Sequence, residues 1–488
     1  MDIDFDLKRE SDINLYTQLY EKLKEKILKG ELKAHSKLPA IRNMAQRNNV
    51  NPATVVKAYD LLERDELIYK KVGSGSYVSP TMIKKNINKI NSGEKKDSLE
   101  LLDYGQLELS NKINFASATP SPSFFPVEDF KYAINSVLNR DKGEAFSYQK
   151  SQGYYPLREY IKNYLSKVNI RTKINNIQIV SGAQQAIDLL AKVLLNYGDK
   201  VIVERPTYTG ALSAFRTREA SVKGISMQKD GMDLNKLEAE LQKSSVRFIY
   251  IMTSFQNPTG ITWSEEKKLR LLELAQKYDF LIIEDDCLSE LYFNKKRPES
   301  LMSYDKEGRI VYIKSFSKIF MPGLRLAFTV LPENLLKEVL AAKHATDISS
   351  AGITQRAFDF YLREGLWEKH LSEMRSLFKK RFTVMQKSIN RYMPEEVKES
   401  FRPEGGLYFW LQLPNNYSSE KLYEKSLERG IAFLPGSLFL ANREDTEGFR
   451  LSFASVNSEE IKLGIKNLGV LVKEYLDKNE NRGFTPLV

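Results

Sequence analysis

Ser315-Phe316-Ser317-Lys318-Ile319-Phe320-Met321-Pro322-Gly323-Leu324-Arg325 sets one amine among hydroxyls and a guanidinium. A lysine amine attacks a carbonyl only when deprotonated, and a desolvated site or a cationic neighbour lowers its pKa enough to allow this. Ser315, Ser317 and Arg325 would hold an anion beside it, the arginine through forked hydrogen bonds. An imine-forming lysine beside an anion cluster suits a carbonyl compound that carries a phosphate. Taken alone, residues of these types at this spacing are more often a solvated loop, so the elements that must position them decide.

Upstream, Phe280-Leu281-Ile282-Ile283 is a continuous apolar run, which predicts a strand buried on both faces, and it leads straight into Glu284-Asp285-Asp286. The C-terminal end of a buried parallel strand is where α/β folds place ligands, and an aspartate there can pair with a protonated pyridine nitrogen. With Lys318, that combination points to pyridoxal phosphate. Ile249-Tyr250-Ile251 predicts another strand, followed by the polar turn Gln256-Asn257-Pro258-Thr259-Gly260. After a strand over Ile177 to Val180, Ser181-Gly182-Ala183-Gln184 opens a helix whose free N–H groups form an anion cradle.

The order of these motifs, with Val201-Ile202-Val203 before Glu204-Arg205-Pro206-Thr207-Tyr208 and with Phe449-Arg450-Leu451 near the end, resembles the fold-type I aminotransferases over roughly residues 113 to 475. The resemblance implies an α/β architecture: a large, mostly parallel sheet domain and a small α+β C-terminal domain. It implies that Lys318 holds the cofactor as an imine and that Asp285 meets the ring nitrogen, these two being the catalytic pair. Asn257 would bond the phenolic oxygen and Tyr208 would stack on the ring. Gly182, Ala183, Gln184, Ser315, Ser317 and Arg325 would surround the phosphate. Arg450 would grip an α-carboxylate, and Tyr148 would reach the phosphate of a neighbouring subunit, which requires a homodimer. Glu404 to Leu411 and Ala432 to Gly436 resemble the small domain's strands and closing loop, after a long helical connection beyond Arg325.

The chain departs from this pattern twice. Relatives in which such a domain is joined to a helix-turn-helix often carry a tyrosine two residues after the aspartate, where this chain has Cys287. A thiol is a weak donor, so the loss of one neutral hydrogen bond would weaken the cofactor's seat by about 1 kcal/mol. Thr209 and Gly210 follow Tyr208, so no second arginine clamps a diacid there.

Near the N-terminus, Leu15, Leu19, Leu23 and Ile27 recur every fourth residue and Gly30 follows, which predicts a capped amphipathic helix. Ala40 to Arg47 predicts a second helix, closed by Asn48-Asn49. Asn51 is a good N-cap and Pro52 suits the first position of a third helix running to Glu63. Leu67 to Val72, Gly73-Ser74-Gly75 and Ser76 to Val78 read as a hairpin, completing a winged helix-turn-helix. This stretch resembles the DNA-binding domain of the GntR family over Tyr16 to Val78, most specifically at Leu38 to Arg42 and Asn51 to Val55. Thr54 and Lys57, behind the Asn51 cap, would meet bases or phosphates in the major groove of double-stranded operator DNA, while Arg42 and the Gly75 wing hold the backbone. The blander alternative is a small helical cap with a solvated basic face. Tyr59, Leu61 and Leu62 read as core.

The 488 residues exceed one compact domain, at 42% hydrophobic and 28% charged. A single cysteine and three histidines make disulfides and a metal site poor expectations and point to a reducing cytoplasm. The start is acidic and no run of eighteen apolar residues occurs, so neither export nor membrane insertion is expected. Net charge is +11, yet residues 1–80 carry 14 basic and 12 acidic side chains, so bulk charge does not locate a partner. The acid-free stretch from Leu32 to Tyr59, with Lys33, Lys37, Arg42, Arg47 and Lys57, does.

These readings divide the chain into a winged helix-turn-helix over 12–79, a polar linker over 80–112 with a short helix over Leu99 to Leu109, a large cofactor domain over 113–335 and a C-terminal part over 336–488. The whole resembles the MocR group of bacterial transcription regulators, which implies regulation through pyridoxal phosphate and an amino acid or other amino compound. Two alternatives remain: a working aminotransferase that its N-terminal domain only tethers or regulates, and a sensor of the free cofactor alone.

Overall fold

Leu19, Leu23 and Ile27 are all buried on one side of helix Leu15–Leu28, which packs them against helix Pro52–Arg64. The computed structural model describes residues 4, 5, 7, 14–28, 31–32, 35–64, 67–71, 74–79, 113–294, 296–399 and 401–480. They form two units, one ending at Ser79 and the other beginning at Ile113. The expected cap at Gly30, the turn residue Gly73, the linker and the Leu99 to Leu109 helix lie outside the described residues.

In the first unit, helix Ile41–Arg47 begins one residue later than expected, because Ala40 is still extended (φ −58°, ψ 147°). Asn49 supplies the left-handed turn at φ 54°, whereas Asn48 stays on the right-handed side and accepts from the Phe5 N–H at 2.8 Å. Asn51 Oδ1 accepts from the Ala53 N–H at 2.9 Å, capping helix Pro52–Arg64. Strands β1 (Ile68–Lys71) and β2 (Gly75–Val78) then pair antiparallel, Ile68 opposite Val78. Tyr59 is core, its hydroxyl donating to the Pro39 carbonyl at 2.9 Å.

The second unit opens with the two-residue strand β3 (Ile113–Asn114). Strands β4 (Ile177–Val180), β5 (Lys200–Arg205), β6 (Ser221–Gln228), β7 (Gly231–Met232), β8 (Phe248–Ile251), β9 (Leu281–Asp286), β10 (Ile310–Ser315) and β11 (Ala327–Val330) build one sheet in the order β4-β11-β10-β9-β8-β5-β6-β7. It is parallel except for β11 and β7. The apolar runs are continuous because helices cover both faces. Val203, Tyr250, Ile283 and Ile313 pack toward helices Ala183–Leu194 and Thr209–Arg216, while Ile202, Ile249 and Ile282 pack toward helices Leu234–Leu241 and Glu265–Tyr278. Each such large apolar side chain stabilises the fold by about 1.5–3 kcal/mol when buried.

A smaller antiparallel sheet combines β12 (Lys398–Glu399), β13 (Tyr408–Gln412), β15 (Leu434–Pro435) and β16 (Gly448–Ser452), with β14 (Ile431–Ala432) beside it in sequence. Strand β3 stands outside the large sheet, pairing in parallel with β14, and Phe115 lies in the same core cluster as Phe433, Phe453 and Ile461. One expectation is corrected here. The chain beyond Arg325 is not helical at once, since Ala327–Val330 first crosses between β10 and β4 as an antiparallel strand. Helices Leu336–Asp347, Gly352–Arg363 and Leu366–Tyr392 follow. No helix among the described residues is long and apolar enough to cross a membrane.

Candidate functional site: a lysine cavity and a winged helix

Because β4, β5, β8, β9 and β10 run the same way, their C-terminal ends share one edge of the sheet, the edge where open α/β sheets bind ligands. A cavity there is lined by Lys318, Asp285, Asn257, Tyr208, Ala183, Gln184, Ser315, Ser317 and Arg325, joined by Met252, Cys287 and Tyr408. Nine residues picked from the sequence thus meet in one place.

The strand period separates the three carboxylates at the end of β9. Glu284 accepts from the hydroxyls of Thr253 and Ser300 and from the backbone of Leu301 and Met302. Asp286 is tied to Lys314 at 3.1 Å and accepts from Tyr312 and Ser289. Asp285, pointing the other way, receives among the described residues only the Tyr250 hydroxyl, on Oδ2 at 2.7 Å, which leaves its buried Oδ1 without a partner there. Burial raises the Asp285 pKa to about 6 against the opposing pull of that hydrogen bond. Burial lowers the Lys318 amine to about 8, with the Arg450 and Arg325 cations adding to the effect. A sizeable neutral fraction of Lys318 near neutral pH is what nucleophilic chemistry needs.

Arg325 adopts a left-handed backbone (φ 51°), and its guanidinium donates to the Ser181 carbonyl at 3.0 Å. It lies against Gly182 (φ 89°), where a β-carbon would collide with it. The N-terminus of helix Ala183–Leu194 and a guanidinium therefore converge on one spot, an anion seat. Behind it, Gln185 accepts from the Ser181 N–H at 2.7 Å and donates to Asp347 at 2.9 Å. On the other side, buried Glu204 accepts from Trp263 at 2.9 Å and from Gln256 at 3.2 Å, and Gln256 also donates to the Pro206 carbonyl at 2.8 Å. This ties the turn bearing Asn257 to the turn bearing Tyr208.

Arg450 is buried, and its guanidinium lies over the rings of Tyr408 and Phe439, 4.8 and 5.3 Å from their centroids. It donates to Asn257 Oδ1 at 2.9 Å and to the Ala116 carbonyl, while its buried Nε has no partner. With Oδ1 so engaged, Asn257 keeps its amide N–H groups for a ligand. Tyr148 is not among the cavity residues; it stands 85% exposed on the surface. Sequence reasoning missed Tyr250, which looks like one more aromatic in an apolar strand, and Tyr408, which follows Gly405-Gly406-Leu407 in a strand read only for its fold.

In the first unit, Arg42, Asn51, Lys57 and Gly75 are exposed and Thr54 is half-buried. Lys57 extends over the Tyr16 ring at 5.4 Å. Gly75 takes φ 118° at the wing, where a β-carbon would press on Lys37 at 3.2 Å. Lys37 and Lys71 flank Tyr77, at 6.0 and 5.4 Å from its ring, so the hairpin presents cations near its turn.

Residues 15–78 match the family of bacterial regulatory proteins named gntR, and residues 110–468 match aminotransferase class I and II. Both matches fall in one chain, and relatives share that arrangement at full length. The uncharacterized HTH-type transcriptional regulator YdfD of Bacillus subtilis is 30% identical over 96% of this chain and 98% of its own. The probable rhizopine catabolism regulatory protein MocR of Rhizobium meliloti is 27% identical over 95% and 94%. The chain belongs to the MocR group of gntR-family regulators. Its MocR-type second unit is a class I and II aminotransferase domain, a family that generally binds pyridoxal phosphate. Among solved structures, the α-aminoadipate aminotransferase LysN of Thermus thermophilus, complexed with N-(5'-phosphopyridoxyl)-L-leucine, matches this MocR-group chain with a TM-score of 0.72 and 34% identity over 76% of it and 94% of LysN.

Proposed function

We propose that this chain is a cytoplasmic, pyridoxal-phosphate-dependent transcription regulator that binds operator DNA through its winged helix and senses an amino compound in the Lys318 cavity. The observation that carries the reading is the unpartnered, buried Asp285 Oδ1 in the same cavity as a desolvated lysine and an anion seat. A buried carboxylate oxygen without a donor is costly, and a protonated ring nitrogen would satisfy it. The donor set therefore fits the cofactor.

Asp285 would hold the ring nitrogen, Asn257 the ring oxygen and Tyr208 a ring face. The first turn of helix Ala183–Leu194, with Gly182, Ser315, Ser317 and Arg325, would hold the phosphate. When bound, the cofactor supplies a carbonyl carbon for amines and a ring that withdraws electrons. Lys318 and an entering amino compound compete for that one place. Arg450, buried against the rings of Tyr408 and Phe439, would take a single carboxylate, and with Thr209 and Gly210 beyond Tyr208 the site favours amino acids with one acid group. Sensing requires that the two occupied forms differ in DNA affinity, a coupling of about 1 to 3 kcal/mol.

The exposed Tyr148 supports a homodimer in which it completes the phosphate seat of the partner subunit. In this reading residues 12–79 bind DNA, 80–112 link, 113–335 hold the cofactor and 336–488 complete the domain, with β3 paired to β14 in a two-stranded sheet of its own.

At the DNA end, Arg42→Ala weakens binding to all sequences and lowers the slope of log affinity against log salt by about one. Fluorescence anisotropy at several salt concentrations measures this, and an unchanged slope removes Arg42 from the phosphate contacts. A working aminotransferase is the second reading, favoured by the complete trio of Lys318, Asp285 and Asn257. Steady release of a keto acid over many turnovers, absent in Lys318→Ala, would establish it.

A further inference from the structure

Tyr250 stands in the middle of β8 among Phe248, Ile249 and Ile251, fully buried, with its ring edge-on to Phe215 at 5.8 Å. A phenylalanine would pack there equally well, and a buried hydroxyl is costly unless it is bonded. The Tyr250 hydroxyl is bonded to one group only, Asp285 Oδ2 at 2.7 Å. Burial pushes the phenol far above its ordinary range, so it stays a donor at every physiological pH.

We propose that Tyr250 is the positioning residue of the cavity: by donating to Oδ2 it fixes the Asp285 carboxylate and leaves Oδ1 as the free acceptor for a protonated aromatic ring nitrogen. This rests on the reading of the cavity as a cofactor site. The hydrogen bond favours the charged carboxylate, opposing the burial that raises its pKa. The other titratable groups near enough to act on Asp285 are Glu284, Asp286 and Cys287 from its own strand end, Lys314 from β10, and the neutral phenols of Tyr208 and Tyr408. Glu284 and Asp286 have their own donors and Lys314 is committed to Asp286 and Glu290, so among the described residues Tyr250 alone donates to Asp285.

The test is the pH dependence of pyridoxal phosphate affinity, by equilibrium dialysis of the full chain between pH 5 and 9. In the unaltered chain, affinity falls as pH drops through the Asp285 ionisation near 6. In Tyr250→Phe the lost donor to the charged carboxylate raises that midpoint by about 1, which weakens binding about twofold at pH 7 and about tenfold at pH 5. The ring and its packing on Phe215 are kept, so the fold is retained. In an Asp285→Asn background, Tyr250→Phe produces no further loss. An unshifted midpoint in Tyr250→Phe, or an equal further loss in the Asp285→Asn background, overturns the inference while leaving the cofactor site standing. Absence of binding to the unaltered chain at every pH overturns both.

Discussion

Lys318→Ala will abolish covalent capture of pyridoxal phosphate. After incubation with the cofactor and borohydride reduction, the unaltered chain carries the label on the peptide containing Lys318, and the variant carries it nowhere above background. The expectation follows from placement: Lys318 is the lysine that lines the cavity, beside Asp285 and the anion seat. Lys314, four residues earlier in the same segment, cannot substitute, since it is fully buried with Nζ at 2.5 Å from Glu290 and 3.1 Å from Asp286. The same variant has a stability signature. A lysine whose folded-state pKa is depressed disfavours folding wherever it is charged, so the unaltered chain gains stability as pH rises through about 8. Lys318→Ala removes that gain, and the difference in unfolding midpoint between the two proteins narrows above pH 8. Equal labelling of the variant would show that another amine holds the cofactor.

Lys314→Met will destabilise the aminotransferase domain by about 3–5 kcal/mol at neutral pH, the usual consequence of removing one partner from a buried charge cluster. Asp286 and Glu290 would then share only Arg297, whose Nη2 lies 3.6 and 3.2 Å away. Lys314 and Arg297 hold both carboxyls below their ordinary range against burial. Their contribution is therefore present at neutral pH and lost only as pH falls through those lowered values. Without Lys314 one carboxyl accepts a proton more easily, so the destabilisation shrinks from pH 7.5 to pH 5. Urea unfolding followed by near-ultraviolet circular dichroism at the two pH values measures both effects. A loss below about 1 kcal/mol would mean that the cluster is well hydrated.

The two lysines show what the sequence could and could not tell. Flanking hydroxyls and a downstream arginine marked Lys318, and an apolar run ending in acids marked β9. The choice of Asp285 over its neighbours is explained only by strand pairing, which gives Glu284 and Asp286 their own donors and turns Asp285 to the cavity. Tyr250 was invisible as a polar contact because its acceptor is 35 residues away. Direction and partner of short strands were equally hidden. Ala327–Val330 carries no mark of running antiparallel, and Ile113-Asn114 finds its partner more than 300 residues later at Ile431 and Ala432. In the first unit, by contrast, caps and turns are local, and Asn49, Asn51 and the hairpin are where short-range rules put them.

The central claim is that the cavity controls the winged helix, and anisotropy of the purified full chain on its own upstream DNA tests it most directly. Binding is measured without additions, with saturating pyridoxal phosphate, and with the cofactor plus each member of an amino-acid panel, in the unaltered chain and in Lys318→Ala. At least one amino compound is expected to shift the DNA affinity of the unaltered chain by about 5- to 150-fold, whereas Lys318→Ala binds the same DNA without responding. DNA binding that is indifferent to cofactor and to every amino compound would contradict the claim.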